Sequence, residues 1–116
     1  MKEVEYSAAY RLAEEIKQSD EYRTYHQLKD TVMSDETQAA LIREFQKLQV
    51  ALQMNMITGR QNDPEEVSRF SALTTLLMSK QEISQYLMSE IQLQQTVADI
   101  MKIVTEAAGL DVQLPV

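Results

Sequence analysis

His26 is the first candidate for chemistry in this sequence, because it is the only histidine among 116 residues. An imidazole can serve as a general base or as a metal ligand near neutral pH. On a helix, its neighbours three and four positions away are Tyr22, Arg23, Lys29 and Asp30. A single histidine with a single carboxylate is a weak site for a divalent metal. We therefore expect His26 to be a surface or half-buried structural residue.

The carboxylates also lack the spacing that catalytic and metal sites require. Glu14 and Glu15 are adjacent, as are Glu65 and Glu66, so on a helix the members of each pair diverge by about 100°. Di-iron bundles need two Glu-x-x-His motifs, which this sequence lacks. It also lacks the Gly-x-Ser-x-Gly motif of hydrolases, and it has no Cys for a thiolate metal site, an iron–sulfur cluster or a nucleophile. We therefore expect no catalytic residue, no cofactor and no metal, and we predict that the protein is not an enzyme.

The scarcity of glycine and proline predicts which elements carry these side chains. The chain has two Gly and two Pro, where average composition would give about 14 of the two together. All-β folds need many such turn residues, and a parallel α/β sheet with a phosphate-binding loop needs closely spaced glycines. The all-β class is nearly excluded and the parallel α/β class is excluded, which leaves an all-α protein. The length predicts a single helical domain over residues 1–116.

The charge balance bears on the partners and the location. With 18 acidic and 11 basic residues, the net charge is −7 at pH 7. Direct binding to nucleic acid or anionic lipid requires clustered Lys and Arg, whereas the basic residues here are scattered singly. The charged N-terminus has no apolar signal region, and no apolar run is long enough to span a membrane. We expect a cytoplasmic protein that binds neither nucleic acid nor membrane directly.

Apolar residues recur at steps of three and four along the chain, which predicts about five amphipathic helices. We expect them over roughly residues 3–17, 21–32, 35–57, 64–78 and 80–107. Short connections between them favour an antiparallel bundle.

Side chains that can accept an amide hydrogen bond mark the helix starts. Ser19 precedes the second helix, and Ser34 is the residue that we expect to cap the third. Asp63 followed by Pro64 is the clearest start, because proline suits the first helical position.

The ends of the helices are marked less often. Gly59 and Gly109 are each placed to end a helix in the left-handed conformation. Residues 79–82 read Ser-Lys-Gln-Glu, a capping-box pattern that we interpret as a break or kink, with one continuous helix as the alternative. Residues 110–116 are expected to form a short flexible tail.

Two of these helices are too long for a compact monomer. Helices of about 35–40 Å extend beyond a globule of this size, whose radius of gyration is about 13 Å. Their apolar stripes would remain in water unless a partner covered them, so we predict an intertwined or side-by-side homodimer. The residues that we expect at a self-association or partner surface are Tyr22, Tyr25, Phe45, Met56, Tyr86, Leu93, Val97 and Ile100.

Glu90 interrupts the heptad-like seam of the last helix and keeps an alternative open. Two or more carboxylates buried together would indicate a small enzyme or a ligand-binding bundle with a carboxylate-lined pocket between helices. The other interpretation is that Glu90 reaches solvent or pairs with a Lys or Arg.

Several helix-packing motifs follow one another along the chain: Ala13-x-x-Ile16-x-x-Ser19-x-Glu21-Tyr22-x-x-Tyr25, Asp35-Glu36, Leu41-Ile42-x-x-Phe45-x-x-Leu48-Gln49, the helix end at Gly59, Ile83-x-x-Tyr86, Glu90 and Ile100-x-x-Ile103. Their order resembles the YlbF/YmcA family of small bacterial helical proteins, which includes the YheA group. The resemblance covers residues 6–108.

The resemblance implies an all-α, cytosolic protein that forms dimers or higher oligomers. Better-studied members of the family are non-catalytic partners in complexes that affect competence, sporulation and biofilm formation, and they are linked to RNA processing by ribonuclease Y. Two of them bind an iron–sulfur cluster through Cys, a role that a chain without Cys does not share. The short YheA-like branch is closer in shape. We therefore expect a non-catalytic interaction or regulatory protein whose partners are a second copy and other cytosolic proteins.

Overall fold

The computed structural model describes residues 2–110, which form five α-helices and no strand. The all-α class predicted from the sequence is confirmed. The helices are α1 (Ser7–Lys17), α2 (Asp20–Val32), α3 (Glu36–Thr58), α4 (Pro64–Met78) and α5 (Gln81–Ala107). Most of the predicted tail, residues 111–116, lies outside the described residues.

The helix starts follow the predicted caps with two corrections. The Ser19 hydroxyl accepts from the Tyr22 amide at 3.2 Å, and the Asp63 carboxylate accepts from the Glu65 amide at 2.9 Å. The start predicted for α1 is four residues too early, since α1 begins at Ser7 and no side chain caps it. The other correction concerns α3.

At α3 the capping residue is Asp35 and the prediction of Ser34 is wrong. The Asp35 carboxylate accepts from the amides of Thr37 and Gln38 at 2.9 and 3.1 Å. The Ser34 hydroxyl instead donates to the Thr31 carbonyl at 2.7 Å, at the end of α2. Asp35 lies one position nearer the helix, where one carboxylate oxygen reaches both amides left without intrahelical partners.

The predicted helix ends and the predicted break between α4 and α5 are also observed in the structure. Gly59 and Gly109 have φ of 73° and 68°, the left-handed conformation that an L side chain disfavours. The break at Ser79 is confirmed, because α4 ends at Met78 and α5 begins at Gln81. The Ser79 hydroxyl donates to the Leu76 carbonyl at 2.6 Å and so helps to close α4.

The described residues divide into two compact units. One consists of residues 28–86, and the other combines residues 2–27 with residues 87–110. Helices α2 and α5 contribute to both. The single helical domain predicted over residues 1–116 stays a prediction.

In the unit of residues 28–86, α3 packs against α4 in antiparallel orientation. Phe45 stacks on Phe70 with ring centroids 5.0 Å apart and planes 12° from parallel. Beside them, Arg69 donates to both carboxylate oxygens of Glu44 at 2.7 and 2.9 Å. The buried apolar side chains of this unit are Val32, Ala39, Ile42, Phe45, Leu73, Leu77, Ile83 and Tyr86.

The other unit is more thinly packed. Helix α1 has no buried residue, and its Leu12 and Ile16 are only half-buried. The Thr96 hydroxyl of α5 donates to the Glu21 carboxylate of α2 at 2.6 Å, which ties these two helices together.

Candidate interaction surface

A line of exposed side chains follows α3, and we call it the α3 ridge: Arg43, Lys47, Val50, Met54 and Ile57. Steps of four, three, four and three residues place all of them within an arc of about 80° on an α-helix. Val50, Met54 and Ile57 are 59%, 53% and 66% exposed. Large apolar side chains that are contiguous at a surface mark an interaction site, whereas singly scattered ones do not.

The packing of α4 leaves this ridge uncovered. Phe45 and Leu48 lie on the side of α3 opposite to the ridge, and Phe45 stacks on Phe70 of α4. Helix α4 therefore covers the face of α3 that carries Phe45, and the ridge faces away from it.

Because α3 and α4 are antiparallel, the C-terminal end of α3 extends beyond the N-terminal end of α4. Because Phe45 lies opposite Phe70, the first residue of α4, Pro64, lies opposite a point near residue 50 of α3. The last two turns of α3 extend beyond that point, and residues 59–63 return alongside them. The Asn55 side-chain amide donates to the Asn62 side-chain oxygen at 3.1 Å along this return. Met56 lies in this region and is 80% exposed.

The α3 ridge is basic at one end. That end carries Arg43 and Lys47, and Glu44 is the one acidic residue between residues 43 and 60. The hydrogen bonds and the positive charge of Arg69 hold the pKa of the Glu44 carboxyl below its usual value, and Glu44 raises the pKa of Arg69. Within residues 2–110, Arg43 and Lys47 make no ion pair. The ridge therefore keeps its positive charge in a chain whose net charge is −7.

The other notable surface feature is a groove of about 380 Å³, which we call the acidic groove. It lies within the unit formed by residues 2–27 and 87–110. Its apolar lining is Leu12, Ile16 and Ile100, and its charged lining is Glu15, Asp20 and Glu21. The apolar residues are half-buried and the acidic ones exposed, so the carboxylates lie at its rim.

This arrangement differs from the pocket on which the ligand-binding alternative depends. That alternative requires carboxylates buried together, whereas Glu15, Asp20 and Glu21 are exposed to solvent. Asp20 accepts from Arg23 at 3.2 Å, and Glu21 accepts from Thr96. In the part of the chain that the structure describes, no three His, Cys, Asp or Glu side chains are placed to hold a metal ion. A groove with an apolar interior and an acidic rim suits a basic, amphipathic segment.

The residues predicted at the partner surface are distributed between core and surface. Phe45 and Tyr86 are 6% and 1% exposed, so both pack inside the chain and cannot present a surface. Met56 is 80% exposed and Val97 is 44% exposed. The remaining four are half-buried: Tyr22, Tyr25, Leu93 and Ile100.

Sequence reasoning missed Val50, Met54 and Ile57, although a signal for them was present. They lie outside the apolar series by which the sequence predicts α3, yet their spacing of four and three residues continues that of Arg43 and Lys47. That series is Leu41, Ile42, Phe45, Leu48, Leu52 and Met56. A second stripe of this kind on one helix indicates a face that needs its own partner.

His26 lies in an aromatic cluster. Its ring centroid is 4.1 Å from that of Tyr22 and 5.0 Å from that of Tyr25, with the second contact edge-on. The three side chains are half-buried. This geometry supports the structural interpretation of His26.

Glu90 is half-buried, and the Gln94 side-chain amide donates to its carboxylate at 3.4 Å. It lies outside the residues that line the acidic groove. The carboxylate that the sequence singled out is thus separate from the acidic cluster that the structure assembles.

Comparison with known proteins gives a consistent match over nearly the whole chain. The model of the family described as "Control of competence regulator ComK, YlbF/YmcA" matches residues 6–108. A UPF0342 protein of Halothermothrix orenii is 38% identical over 98 residues, which are 84% of this chain and 83% of the relative. A UPF0342 protein of Symbiobacterium thermophilum is 30% identical over 110 residues, with coverages of 95% and 96%.

Two solved structures share the fold. A protein of unknown function (DUF964) from Bacillus stearothermophilus aligns with a TM-score of 0.72 at 18% identity, over 90% of this chain and 91% of that one. Bacillus subtilis RicA, solved in complex with RicF, gives a TM-score of 0.58 at 21% identity, over 89% and 91%. Among residues 2–110, no helix has both the length and the hydropathy required to cross a membrane.

Proposed function

Because this chain belongs to the YlbF/YmcA family, we propose that it is a non-catalytic interaction protein of the bacterial cytoplasm that acts through complexes with other proteins and through a homodimer. The family is described by its control of a competence regulator. RicA, a relative in fold, was crystallised with another protein, RicF. We extend to this chain the general role of assembling with protein partners.

The observation that carries this proposal is the α3 ridge. Val50, Met54 and Ile57 are each more than half exposed and form one continuous line. Burying a large apolar side chain completely contributes about 1.5–3 kcal/mol, so covering these three partly exposed ones contributes about 3–5 kcal/mol. Association itself costs about 4 kcal/mol or more in lost translational and rotational freedom. A single ridge contact is therefore too weak alone, whereas a symmetric pair that makes it twice can be stable.

The proposed regulatory role also depends on partner proteins. A complex that affects competence, sporulation, biofilm formation or RNA processing is the setting that the family resemblance implies. With a net charge of −7, an effect on RNA is exerted through a protein partner, because phosphate binding requires the opposite sign. Without Cys, the chain has no thiolate to offer an iron–sulfur cluster in such a complex.

Sedimentation equilibrium of the purified chain at micromolar concentration tests the homodimer. A mass of twice 13.3 kDa is expected. A mass of 13.3 kDa across the concentration range would refute self-association.

Affinity purification from the native bacterium tests the role in complexes. The tagged wild-type chain is expected to retain a specific protein at a fixed stoichiometry, and deleting the gene for that protein is expected to give the same phenotype as deleting the gene for this chain. Different phenotypes would contradict a shared complex.

A further inference from the structure

We propose that the α3 ridge docks in the acidic groove of a second copy of the same chain, so that a two-fold pair forms two identical ridge-in-groove contacts. This inference rests on the proposed homodimer and names its contact surfaces. The ridge of one copy lies in the groove of the other, and each groove is lined by Leu12, Glu15, Ile16, Asp20, Glu21 and Ile100.

Charge argues against the simplest alternative, in which two ridges pack on each other. In a parallel arrangement, Arg43 lies opposite Arg43, which juxtaposes like charges and disfavours association. The ridge contains no acidic residue, so in an antiparallel arrangement the partner's ridge also offers Arg43 and Lys47 no carboxylate.

The acidic groove supplies the complementary chemistry. Glu15, Asp20 and Glu21 line it, and no Lys or Arg is among its lining residues. Within residues 2–110, Glu15 makes no ion pair, so its charge is available to a partner. The guanidinium of Arg43 and the ammonium of Lys47 are likewise unpaired in the described part of the chain. Opposite charges at the rim of a contact select the partner and fix its orientation.

The apolar parts match as well. Leu12, Ile16 and Ile100 line the groove and are half-buried, and the ridge offers Val50 and Met54 in line with its basic end. A volume of about 380 Å³ lies in the range of small-ligand pockets, which suits a few inserted side chains of a helix. Because one such contact is too weak alone, closure into a two-fold pair, in which it occurs twice, gives the stable form.

Charge reversal in two matched variants tests this pairing. One variant carries Arg43→Glu and Lys47→Glu on the ridge, and the other carries Glu15→Lys and Asp20→Lys in the groove. Each alone is expected to weaken self-association at least about tenfold in sedimentation velocity at low salt, because like charges then meet. Circular dichroism and the thermal midpoint of each variant verify that the helices are retained.

Recovery of self-association when the two variants are combined distinguishes a direct contact from a general effect of charge. An equimolar mixture of the two variants is expected to recover the wild-type affinity, since both contacts in the mixed pair again join opposite charges. A single chain with all four substitutions is expected to recover it as well. The control is Lys2→Glu with Lys102→Glu, which alters the net charge by the same amount as the ridge variant and is expected to leave association unchanged.

The possible results separate this inference from the proposed homodimer. A monomeric wild type refutes the homodimer, and the ridge-in-groove contact with it. A dimeric wild type whose association neither variant weakens refutes the ridge-in-groove contact alone. If both variants are weak and their mixture stays weak, or if only the ridge variant is weak, the ridge has a different acidic occupant and the inference is overturned.

Discussion

Replacing Val50, Met54 and Ile57 together with Ser separates self-association from folding. All three are more than half exposed on the side of α3 away from α4, so their loss removes little packing within the chain. We therefore expect the free energy of unfolding of a single chain to change by at most about 0.5 kcal/mol per site.

The effect on association is expected to be far larger. The ridge contributes about 3–5 kcal/mol when covered, and a two-fold pair covers it twice, which gives about 6–10 kcal/mol per dimer. The dissociation constant should rise by about three orders of magnitude or more. Sedimentation velocity over a dilution series measures this, because the variant should run as one chain where the wild type runs as two.

A matched control exists on α5. Met88, Ile91 and Ile103 are 52%, 55% and 67% exposed, nearly the same exposures as those of the three ridge residues. Replacing these three with Ser removes a similar apolar area from another part of the surface. If the control weakens association as much as the ridge variant does, or if the ridge variant stays dimeric, the reasoning from the ridge is refuted.

The other predictions concern the unit that holds the ridge. Phe45→Ala should lower the free energy of unfolding in urea by about 3–5 kcal/mol, because it leaves a cavity against α4, whereas a residue of the partner surface would affect only association. Asp35→Ala should cost about 0.5–2 kcal/mol and Ser34→Ala clearly less, and equal losses would contradict the observed cap. Because Arg69 lowers the pKa of Glu44 in the folded chain, their pairing stabilises the fold above the ordinary carboxyl pKa of 4.5 and is lost as the pH falls through and below it. The stability difference between the wild type and Arg69→Gln should therefore shrink at acid pH, and a constant difference would refute the assignment.

The starts and ends of most helices could be predicted from sequence because their causes are local. Asp63 and Pro64 act on amides within three residues, and Gly59 ends α3 through its own positive φ. Where two adjacent side chains could each accept, as at Ser34 and Asp35, the pattern did not distinguish them. The choice depended on which oxygen reached the unpaired amides.

The interaction surface depended on tertiary packing. Periodicity places Phe45 on one face of α3 and Met54 on another, and it predicts that each face needs a partner. It does not say which face a neighbouring helix of the same chain covers. Helix α4 packs on the face of α3 that carries Phe45, so Phe45 is buried and Met54 is exposed.

The acidic groove is the clearest example of a feature that depends on tertiary packing and that the sequence did not predict. The sequence alone established an acidic, all-α chain without Cys and with one His, and hence the absence of the familiar catalytic motifs. It also singled out Glu90, because that carboxylate interrupts a seam. Glu15, Glu21 and Ile100 come together only when α1, α2 and α5 fold onto one another. Residues about 80 positions apart leave no local pattern, so their proximity is a property of the packed helices and not of any segment.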